Sequence, residues 1–224
     1  MTSAARELPS CVVLGGGGHA RVVLDSLQLA GIAVPRAILD ANRALWGTEI
    51  MGVPVRGSDD LLPALINEGI TAFIVGLGGA GDNGPRQRLF DHAVSLGARP
   101  LTVVHPSAIV SAWCQIGPGC VLCPLAVVNA QASLGRNVIV NSGAIVEHDC
   151  HVGDHVHVAT GARLTSGVSV GAGAHIGAGA VVRQGAVIGE HAIVGAGAVV
   201  TRDVRPGVTV GGVPAVPLAI KKMP

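Results

Sequence analysis

The sequence is poor in aromatic residues, since it contains no tyrosine and Phe, Trp and Tyr together make up 2% of its 224 residues. Glycine, in contrast, occurs 33 times. Large globular cores usually depend on aromatic side chains to fill space. This composition instead suits a narrow interior filled by aliphatic and small residues. The length allows one large domain or two modest ones.

The chain also lacks an excess of either charge, because 15 basic and 14 acidic residues leave a formal net charge of +1. This balance argues against binding to nucleic acid or to a membrane surface through bulk electrostatics. We identify no signal peptide, since the apolar run 11–14 is short and four glycines follow it. Nothing approaches the ~18 apolar residues of a membrane-spanning helix. We therefore predict a cytoplasmic protein without nucleic-acid or membrane partners.

The five cysteines are an odd number, which fits a reducing compartment better than a disulfide framework. Cys120 and Cys123 have the spacing of a redox or zinc half-site. The sequence offers no second pair, and Cys120 falls at a repeat position reserved for small side chains. We interpret Cys114, Cys120 and Cys150, all at that repeat position, as small buried hydrophobes and predict no bound metal.

A six-residue repeat dominates the second half of the chain and runs from Ile109 to Val204 without insertion or deletion. The second residue of every unit is aliphatic, and the sixth is always Ala, Val or Cys. A repeat this strict is typical of a stacked solenoid, in which no unit can bury its apolar side chain alone. The six-residue period predicts an all-β domain, a parallel β-helix with three short strands per coil.

Before residue 105 the six-residue period is replaced by an alternation of strands and helices. We predict strands at 11–14, 36–39, 53–55, 71–75 and 101–104, and helices at 19–30, 59–68 and 85–96. Such an alternation indicates a small parallel α/β sheet of the Rossmann type. The predicted domains are therefore 1–104 (Rossmann-like), 105–212 (β-helix) and 213–224 (a C-terminal tail).

A glycine-rich loop lies between the first predicted strand and the first helix, and it fits the pattern G-x-G-x-x-(G/A). Glycines let backbone N–H groups approach a phosphate, and the helix N-terminus favours negative charge. A tight turn alone accounts for only one or two of these glycines. An acidic residue ends the next strand, where a ribose-binding carboxylate is expected. The predicted substrate-binding residues are Gly15, Gly16, Gly17, Gly18, His19, Asp40 and Gly76.

The first domain has only about 100 residues, which is short for the two halves of a dinucleotide-binding fold. We therefore expect a mononucleotide-type ligand such as a nucleoside-diphosphate sugar.

Four histidines within ten residues interrupt the small, uncharged repeat units: His148, His151, His155 and His157. All occupy outward or corner positions of the frame, and acids lie among them, which indicates a functional site. Either His148 is a general base tuned by Asp149 or Glu147, or several histidines ligate a metal. Since three units make a coil, His148 and His157 lie half a coil apart. They can serve one site only if neighbouring subunits pack side by side.

Together the two halves resemble the sialic acid O-acetyltransferase / nucleotide-aminosugar N-acetyltransferase family, which includes acetyltransferases for UDP-4-amino-dideoxy sugars and GDP-perosamine. The resemblance covers essentially the whole chain through the glycine loop 15–19, the junction 105–108, the segment 141–150, the hexads and the closing segment 212–215. It implies a left-handed β-helix and a homotrimer. It also implies a role in glycan biosynthesis, with acetyl-CoA bound between β-helices and a nucleotide sugar on the first domain.

The resemblance also implies roles for individual residues. The position of His148 is the catalytic base in such enzymes, and Asp149 tunes it. His157 contacts acetyl-CoA, as do backbone groups at Ala178 and Ala196. Asn141 contacts the acceptor or the pantetheine of acetyl-CoA.

The implied reaction is direct acetyl transfer to a sugar amine, with a backbone N–H near Ser166 or Gly167 stabilising the oxyanion. Sequence does not separate an amine acceptor from a hydroxyl, so an O-acetyltransferase stays open. A metal-dependent hydratase on a trimeric β-helix would explain the histidines, but it leaves the first domain without a role. A non-catalytic scaffold does not explain the pairing of base and acid.

Overall fold

The N-terminal part of the protein is an α/β domain, seen in a computed structural model that describes residues 8–219. Its elements are β1 (Ser10–Leu14), α1 (Gly18–Ala30), β2 (Val34–Leu39), a 3-10 turn (Arg43–Leu45), β3 (Glu49–Ile50), β4 (Val53–Gly57), a 3-10 turn (Asp59–Leu61), α2 (Leu62–Asn67), β5 (Ala72–Val75), α3 (Gly84–Ser95) and β6 (Arg99–Pro100). The sheet order is β3-β4-β2-β1-β5-β6, and only β3 is antiparallel to its neighbour. The predicted Rossmann-like arrangement is therefore present.

The strand predicted at 101–104 is wrong as a closing strand of this sheet. Leu101 N–H still donates to the carbonyl of Phe73 in the sheet, at 2.8 Å. Val103 N–H donates instead to the carbonyl of Cys120, also at 2.8 Å, and so belongs to the second domain. The chain passes from one domain to the other at Thr102, and the β-helix begins two residues before the predicted boundary at 105.

The repeat itself explains this earlier start. Residues 103–108 form one more hexad, in which Val104 takes the aliphatic second position and Ala108 the small sixth position. Residues 105–107 occupy the turn of that unit, and Pro106 takes the fourth position, as Pro118 and Pro124 do in later units. The frame therefore begins one unit before Ile109, the start given by the sequence analysis.

The second domain is a left-handed parallel β-helix with three flat faces. Face I consists of Val103–Val104, Val121–Leu122, Ile139–Val140, His157–Val158, His175–Ile176, Ile193–Val194 and Thr209–Gly211. Face II consists of Ile109–Val110, Val127–Val128, Ile145–Val146, Arg163–Leu164, Val181–Val182 and Val199–Val200. Face III consists of Gln115–Ile116, Ser133–Leu134, His151–Val152, Ser169–Val170 and Val187–Ile188.

The interior of the prism is built from the second and sixth residues of the units, as the repeat predicts. Val128, Val146 and Ala144 are completely buried in one continuous apolar core. Paired strands lie 18 residues apart, one coil, up to the pairing of Val182 with Val200. The bridge between Ile188 and Val204 shortens this spacing to 16 residues, which ends the regular repeat.

The N-terminal domain covers the beginning of face I. Val121 and Ile139, which point outward from the prism, share an apolar core with Val23 and Leu27 of α1. The C-terminal tail, predicted from 213, contributes Val216–Pro217 as an antiparallel partner of Thr209–Gly211. Within residues 8–219, the docking of the first domain leaves face II and face III uncovered.

Candidate active site

His148 lies at the corner between faces II and III, in the turn that leads from Ile145–Val146 to His151–Val152. Its side chain is 55% exposed. Asp149, the next residue, has a φ of 60°, a left-handed conformation that turns its side chain back to the imidazole. The repeat therefore places the pair on a rigid corner instead of a mobile loop.

Both ring nitrogens of His148 have a partner. Nδ1 lies 2.7 Å from Oδ2 of Asp149, and Nε2 lies 2.8 Å from the hydroxyl oxygen of Ser166. An ionised carboxylate can only accept, so Nδ1 carries the proton and donates to Asp149. Nε2 is then the unprotonated nitrogen, with its lone pair directed away from Asp149. This is the form in which a histidine acts as a general base.

Glu147 does not contact the imidazole, although the sequence allowed it as the tuning acid. Its carboxylate accepts a hydrogen bond from the Asn129 side chain at 2.8 Å and a longer one from His148 N–H at 3.3 Å. Asp149 is thus the acid paired with the ring of His148.

The backbone next to His148 offers one free donor. Gly167 N–H is used in the stack of coils, because it donates to the carbonyl of His148 at 3.0 Å. Ser166 N–H has no acceptor among the hydrogen bonds of residues 8–219. Of the two candidates for the oxyanion donor, Ser166 is therefore the one with a free N–H.

A groove of about 430 Å³ follows the opposite edge of face II, at the corner between faces I and II. It brings together the predicted residues Asn141, His157, Ala178 and Ala196. The remaining lining residues are Gly79, Ala80, Gly81, Ala159, Thr160, His175, Gly177, Ile193, Val194 and Gly195. Small residues at this corner leave its floor open, which suits a long, flexible ligand.

His157 is held rigidly in this groove. Its Nδ1–H donates to the carbonyl of Gly79 at 3.0 Å, and its Nε2 accepts a hydrogen bond from the Asn141 side chain at 3.1 Å. Burial, together with the neighbouring charges of His175 and Arg86, lowers the pKa of His157 to about 3. The ring is therefore neutral at pH 7, and Asn141 is the group that it orients.

The glycine loop and Asp40 meet at the carboxyl ends of β1 and β2. The carboxylate of Asp40 accepts from Gly16 N–H at 2.6 Å and from Asn42 N–H at 2.7 Å. Gly15 and Asp40 line a cavity of about 140 Å³ whose other residues are Leu39, Ala41, Asp59, Leu77 and Leu89. Asp40 thus shapes the loop itself and also borders this cavity.

The glycines of this region have different functions. A Cβ on Gly76 would lie 2.7 Å from Val13 Cγ1 and 2.8 Å from the Gly15 carbonyl, so only glycine fits there. At Gly17 and Gly18, in contrast, an added Cβ would have no neighbouring heavy atom within 4 Å. Their lack of side chains therefore leaves room at the N-terminus of α1, as phosphate binding requires.

Both domains of the chain are similar to those of known proteins. Residues 10–93 match the PglD N-terminal domain, and residues 131–166 and 167–202 each match the bacterial transferase hexapeptide (six repeats). PerB from Caulobacter crescentus, solved with CoA and GDP-perosamine, is 40% identical over 97% of this chain and 100% of its own, with a TM-score of 0.87. The chain belongs to this family of hexapeptide-repeat N-acetyltransferases.

Other solved structures show the same fold. The acetyltransferase domain of PglB from Neisseria gonorrhoeae, in complex with acetyl coenzyme A, is 36% identical over 95% of this chain and 100% of its own, with a TM-score of 0.87. WeeI from Acinetobacter baumannii is 28% identical over 93% of this chain and 100% of its own, with a TM-score of 0.78. A comparison with curated protein sequences returned no match. The resemblance and the fold class inferred from the sequence are confirmed.

The histidine cluster of this acetyltransferase is dispersed over three places. His148 lies at one corner, His151 is exposed on face III, and His155 and His157 are buried under the N-terminal domain. The outward positions are thus as predicted, but two of them are covered. Within residues 8–219, no group of three or more His, Cys, Asp or Glu side chains could hold a metal ion. The helices in the same range include none that is long and apolar enough to cross a bilayer.

The sequence analysis did not identify two side chains of the acetyltransferase site, those of His175 and Ser166. His175 packs edge-to-face on His157, with ring centroids 5.0 Å apart, and it lines the same groove. The hydroxyl of Ser166 reaches His148. Both residues follow their partners by 18 positions, which is one complete coil. The coil period, applied to side chains instead of to strands, is therefore the signal that finds them.

Proposed function

We propose that this acetyltransferase transfers the acetyl group of acetyl-CoA to the amino group of a nucleotide-linked amino sugar, with His148 as general base. The observation that carries the proposal is the arrangement around face II. The His148–Asp149 pair lies at one edge of that face, and the groove with Asn141 and His157 lies at the other edge. This arrangement supplies a base, a donor site and a surface on which two subunits can combine them.

The outward residues of face II support a homotrimer. The first positions on this face are apolar in five of six strands: Ile109, Val127, Ile145, Val181 and Val199, with Arg163 as the exception. Face III presents Gln115, Ser133, His151, Ser169 and Val187, of which four are polar. The first domain already covers the outward residues Val121 and Ile139 of face I. A subunit interface that buries face II would remove the apolar surface that a single chain leaves exposed.

The positions of the two corners of face II then determine which residues of neighbouring subunits lie together in a trimer. If face II of each prism points to a threefold axis, its two edges contact two different neighbours. The edge with His148 of one subunit then lies against the edge with Asn141 and Ala178 of the next. Such a closed, head-to-tail ring has three equivalent shared sites.

Each site in this ring supplies the groups needed for direct transfer. Nε2 of His148 accepts a proton from the acceptor amine as its nitrogen forms a bond to the thioester carbonyl carbon. Ser166 N–H donates to the carbonyl oxygen as negative charge develops there. When the C–S bond breaks, the proton on His148 passes to the departing thiolate, which leaves as CoA thiol. Asp149 stabilises the imidazolium between the two proton transfers.

The groove at the corner between faces I and II fits the donor substrate. Gly177, Ala178, Gly195 and Ala196 line it with backbone and methyl groups only, so an extended pantetheine chain can lie along the coils. Asn141, oriented by His157, is a side-chain amide donor within the groove. Ala178 and Ala196 would contribute backbone groups to the same ligand.

The first domain would hold the nucleotide part of the acceptor. Gly15 to Gly18 and His19 surround the N-terminus of α1, while Asp40 and Gly76 border the adjacent crevice. The Caulobacter enzyme, of similar sequence, contains GDP-perosamine, which makes a GDP-linked 4-amino sugar the first acceptor to test. We also expect a cytoplasmic location, where acetyl-CoA and nucleotide sugars are available and where the five free cysteines would stay reduced.

The test is an acetyl-transfer assay with matched acceptors. We expect CoA thiol release with a GDP- or UDP-4-amino sugar, and a product heavier by one acetyl group. The corresponding 4-hydroxy sugars serve as controls, and turnover with these alone would assign the enzyme to hydroxyl acceptors instead. Gly17→Val, which adds a side chain in open space, should raise KM for the nucleotide sugar about tenfold or more without lowering Tm. Absence of transfer to every nucleotide sugar would refute the proposal.

A further inference from the structure

The Ser166 hydroxyl occupies the position that the acceptor needs. A general base must lie about 2.6–3.2 Å from the atom whose proton it removes. The hydroxyl oxygen of Ser166 lies 2.8 Å from Nε2 of His148. Since Asp149 uses Nδ1, Nε2 is the nitrogen of this ring that can take the proton. Ser166 and the acceptor nitrogen therefore compete for one place.

The competition follows from the electronic structure of neutral imidazole. Its unprotonated nitrogen has a single lone pair, which lies in the ring plane and points in one direction. That lone pair forms one strong hydrogen bond at a time. The Ser166 hydroxyl, as donor, holds it in the free protein, and the amine N–H must hold it when proton transfer begins.

The backbone keeps Ser166 in register with His148, while its hydroxyl can still move. Gly167 N–H donates to the His148 carbonyl at 3.0 Å, and Gly185 N–H donates to the Ser166 carbonyl at 3.0 Å. These bonds fix the spacing of three successive coils. The serine side chain is only partly buried and leaves Nε2 by rotation about one single bond, between staggered rotamers.

We infer that the Ser166 hydroxyl is a built-in competitor of the acceptor amine, which keeps His148 in its reactive tautomer and is displaced when the acceptor binds. The inference rests on the proposed function, because it assigns the displaced contact to an amine acceptor. It makes Ser166 a positioning residue with two separate groups. The backbone N–H acts on the thioester oxygen, and the side chain acts on the base.

The expected effect of removing the Ser166 hydroxyl depends on the state of the enzyme in which its hydrogen bond to His148 forms. The Ser166–His148 hydrogen bond exists before the acceptor binds and is absent afterwards, so it stabilises only the free state. A typical hydrogen bond of this kind corresponds to about a 2- to 10-fold change in an equilibrium constant. Removing the hydroxyl should therefore strengthen acceptor binding by this factor, while the backbone N–H is retained.

Steady-state kinetics and equilibrium binding with Ser166→Ala test the inference. We expect Kd and KM for the amino sugar to fall about 2- to 10-fold, KM for acetyl-CoA to stay unchanged and kcat to change less than about threefold. Ser166→Thr, which keeps the hydroxyl, should retain wild-type values. Ser133→Ala is the matched control, because Ser133 makes the same kind of bond to His151, 2.9 Å long and also across 18 residues, on face III.

Two results, one kinetic and one from equilibrium binding, would overturn the inference. A loss of kcat by about 100-fold or more in Ser166→Ala would show that the hydroxyl transfers the proton itself. An unchanged acceptor Kd would show that no competition exists. Failure of the proposed function looks different, because the wild-type enzyme would then acetylate no amino sugar.

Nitrogen-15 NMR of labelled histidine gives a second, direct measurement. In the free wild-type enzyme the Nε2 signal of His148 should be that of a hydrogen-bonded acceptor, and Ser166→Ala should shift it. Addition of the amino sugar should bring the Nε2 signals of both proteins to the same position. Signals that stay different by the same amount after addition would mean that the hydroxyl is not displaced.

Discussion

His157 donates its Nδ1–H to the carbonyl of Gly79 over 3.0 Å, and this bond joins the β-helix to a loop of the N-terminal domain. The ring can make this bond, and accept from Asn141 at the same time, only while it is neutral. The contact between the domains and the shape of the groove thus depend on the same protonation state.

This dependence predicts acid sensitivity of the fold. Burial lowers the pKa of His157 to about 3 and that of His19 to about 4, and it also lowers the pKa of His155 and His175. Between those values and about 6.5, the unfolded chain binds more protons than the folded one. The free energy of unfolding should therefore fall as pH is lowered from about 6.5, with a slope of up to about 1.4 kcal/mol per pH unit for each histidine that stays neutral.

Thermal unfolding between pH 7.5 and 4.5 measures this effect. His157→Gln, which cannot be protonated, should reduce the slope of Tm against pH. His151→Gln is the control, since His151 is exposed and its replacement should leave the slope unchanged. A wild-type Tm that does not fall below pH 6.5 would contradict the prediction.

The buried side chain of Arg86 leads to a second prediction, which concerns the stability of the contact between the two domains. Its side chain is 1% exposed, and its guanidinium donates to the carbonyls of Asn137 and His155 at a corner of the β-helix. Burial lowers its pKa to about 10, so it stays charged at pH 7. Arg86→Met should lower the free energy of unfolding by about 2–4 kcal/mol, because it leaves buried carbonyls without a donor.

Lysine should not rescue this position, since its single ammonium group cannot reach the carbonyls that the planar guanidinium spans. Arg88→Met, an exposed site on the same helix, is the matched control. Chemical denaturation compares the variants. Equal stability of Arg86→Met and wild type would show that the carbonyls find other partners.

The β-helix was predictable because its chemistry repeats. Each interior position recurs every six residues, so a local pattern determines which residues are buried, and a chance match is excluded by the length of the run. The His148–Asp149 pair was predictable for the same reason. The repeat frame places both residues outside the core, so packing does not explain their polar side chains. The start at Val103 was missed because Val103 and Val104 also fit the alternation of strands and helices, which assigned 101–104 to the first domain.

The burial of His155 and His157 could not be predicted from the repeat. Both point outward from the prism, and only the docking of α3 and of the loop around Gly79 covers them. The same holds for Arg86, whose acceptors lie 51 and 69 residues away in sequence. Contacts between two domains do not recur at a fixed sequence spacing. The sequence therefore shows which residues are polar but not which residues they contact.

Replacement of His148 should remove most of the activity. His148→Gln should lower kcat about 10²–10⁴-fold, which is the usual contribution of a general base. Asp149→Asn should have a smaller effect, because the ring and its bond to Ser166 remain. His151→Gln, only three residues away on face III, is the control and should keep wild-type turnover. Thiol release measures all three, and wild-type kcat in His148→Gln would disprove the assignment of the base.

Ala178 gives a test of the groove that leaves the base intact. Ala178→Leu places a larger side chain at the exposed corner between faces I and II, where it would narrow the path of acetyl-CoA. We expect KM for acetyl-CoA to rise about tenfold, with KM for the nucleotide sugar unchanged. Ala172→Leu, at the same position of its unit but at the corner between faces III and I, should behave as wild type. If both variants bind acetyl-CoA normally, the groove is not the donor site.

Face II predicts that assembly and activity are lost together. Ile145 points outward on this face and is only partly buried in the single chain. Ile145→Glu would place a charge in an apolar interface, whose desolvation is costly without a partner. We expect a trimeric mass for the wild type and a monomeric mass for the variant by light scattering. Since His148 and the groove lie at opposite edges of face II, the monomer should also lose activity by a factor on the order of 10² or more.

Ser169→Glu is the matched control for this test, because it places the same charge at the first position of a unit on face III. It should remain trimeric and active. An active monomeric Ile145→Glu would show that one chain contains a complete site, and the assignment of the shared site would then be wrong. A trimeric but inactive Ile145→Glu would place the interface on another surface, because a buried glutamate at face II is incompatible with the packing inferred here.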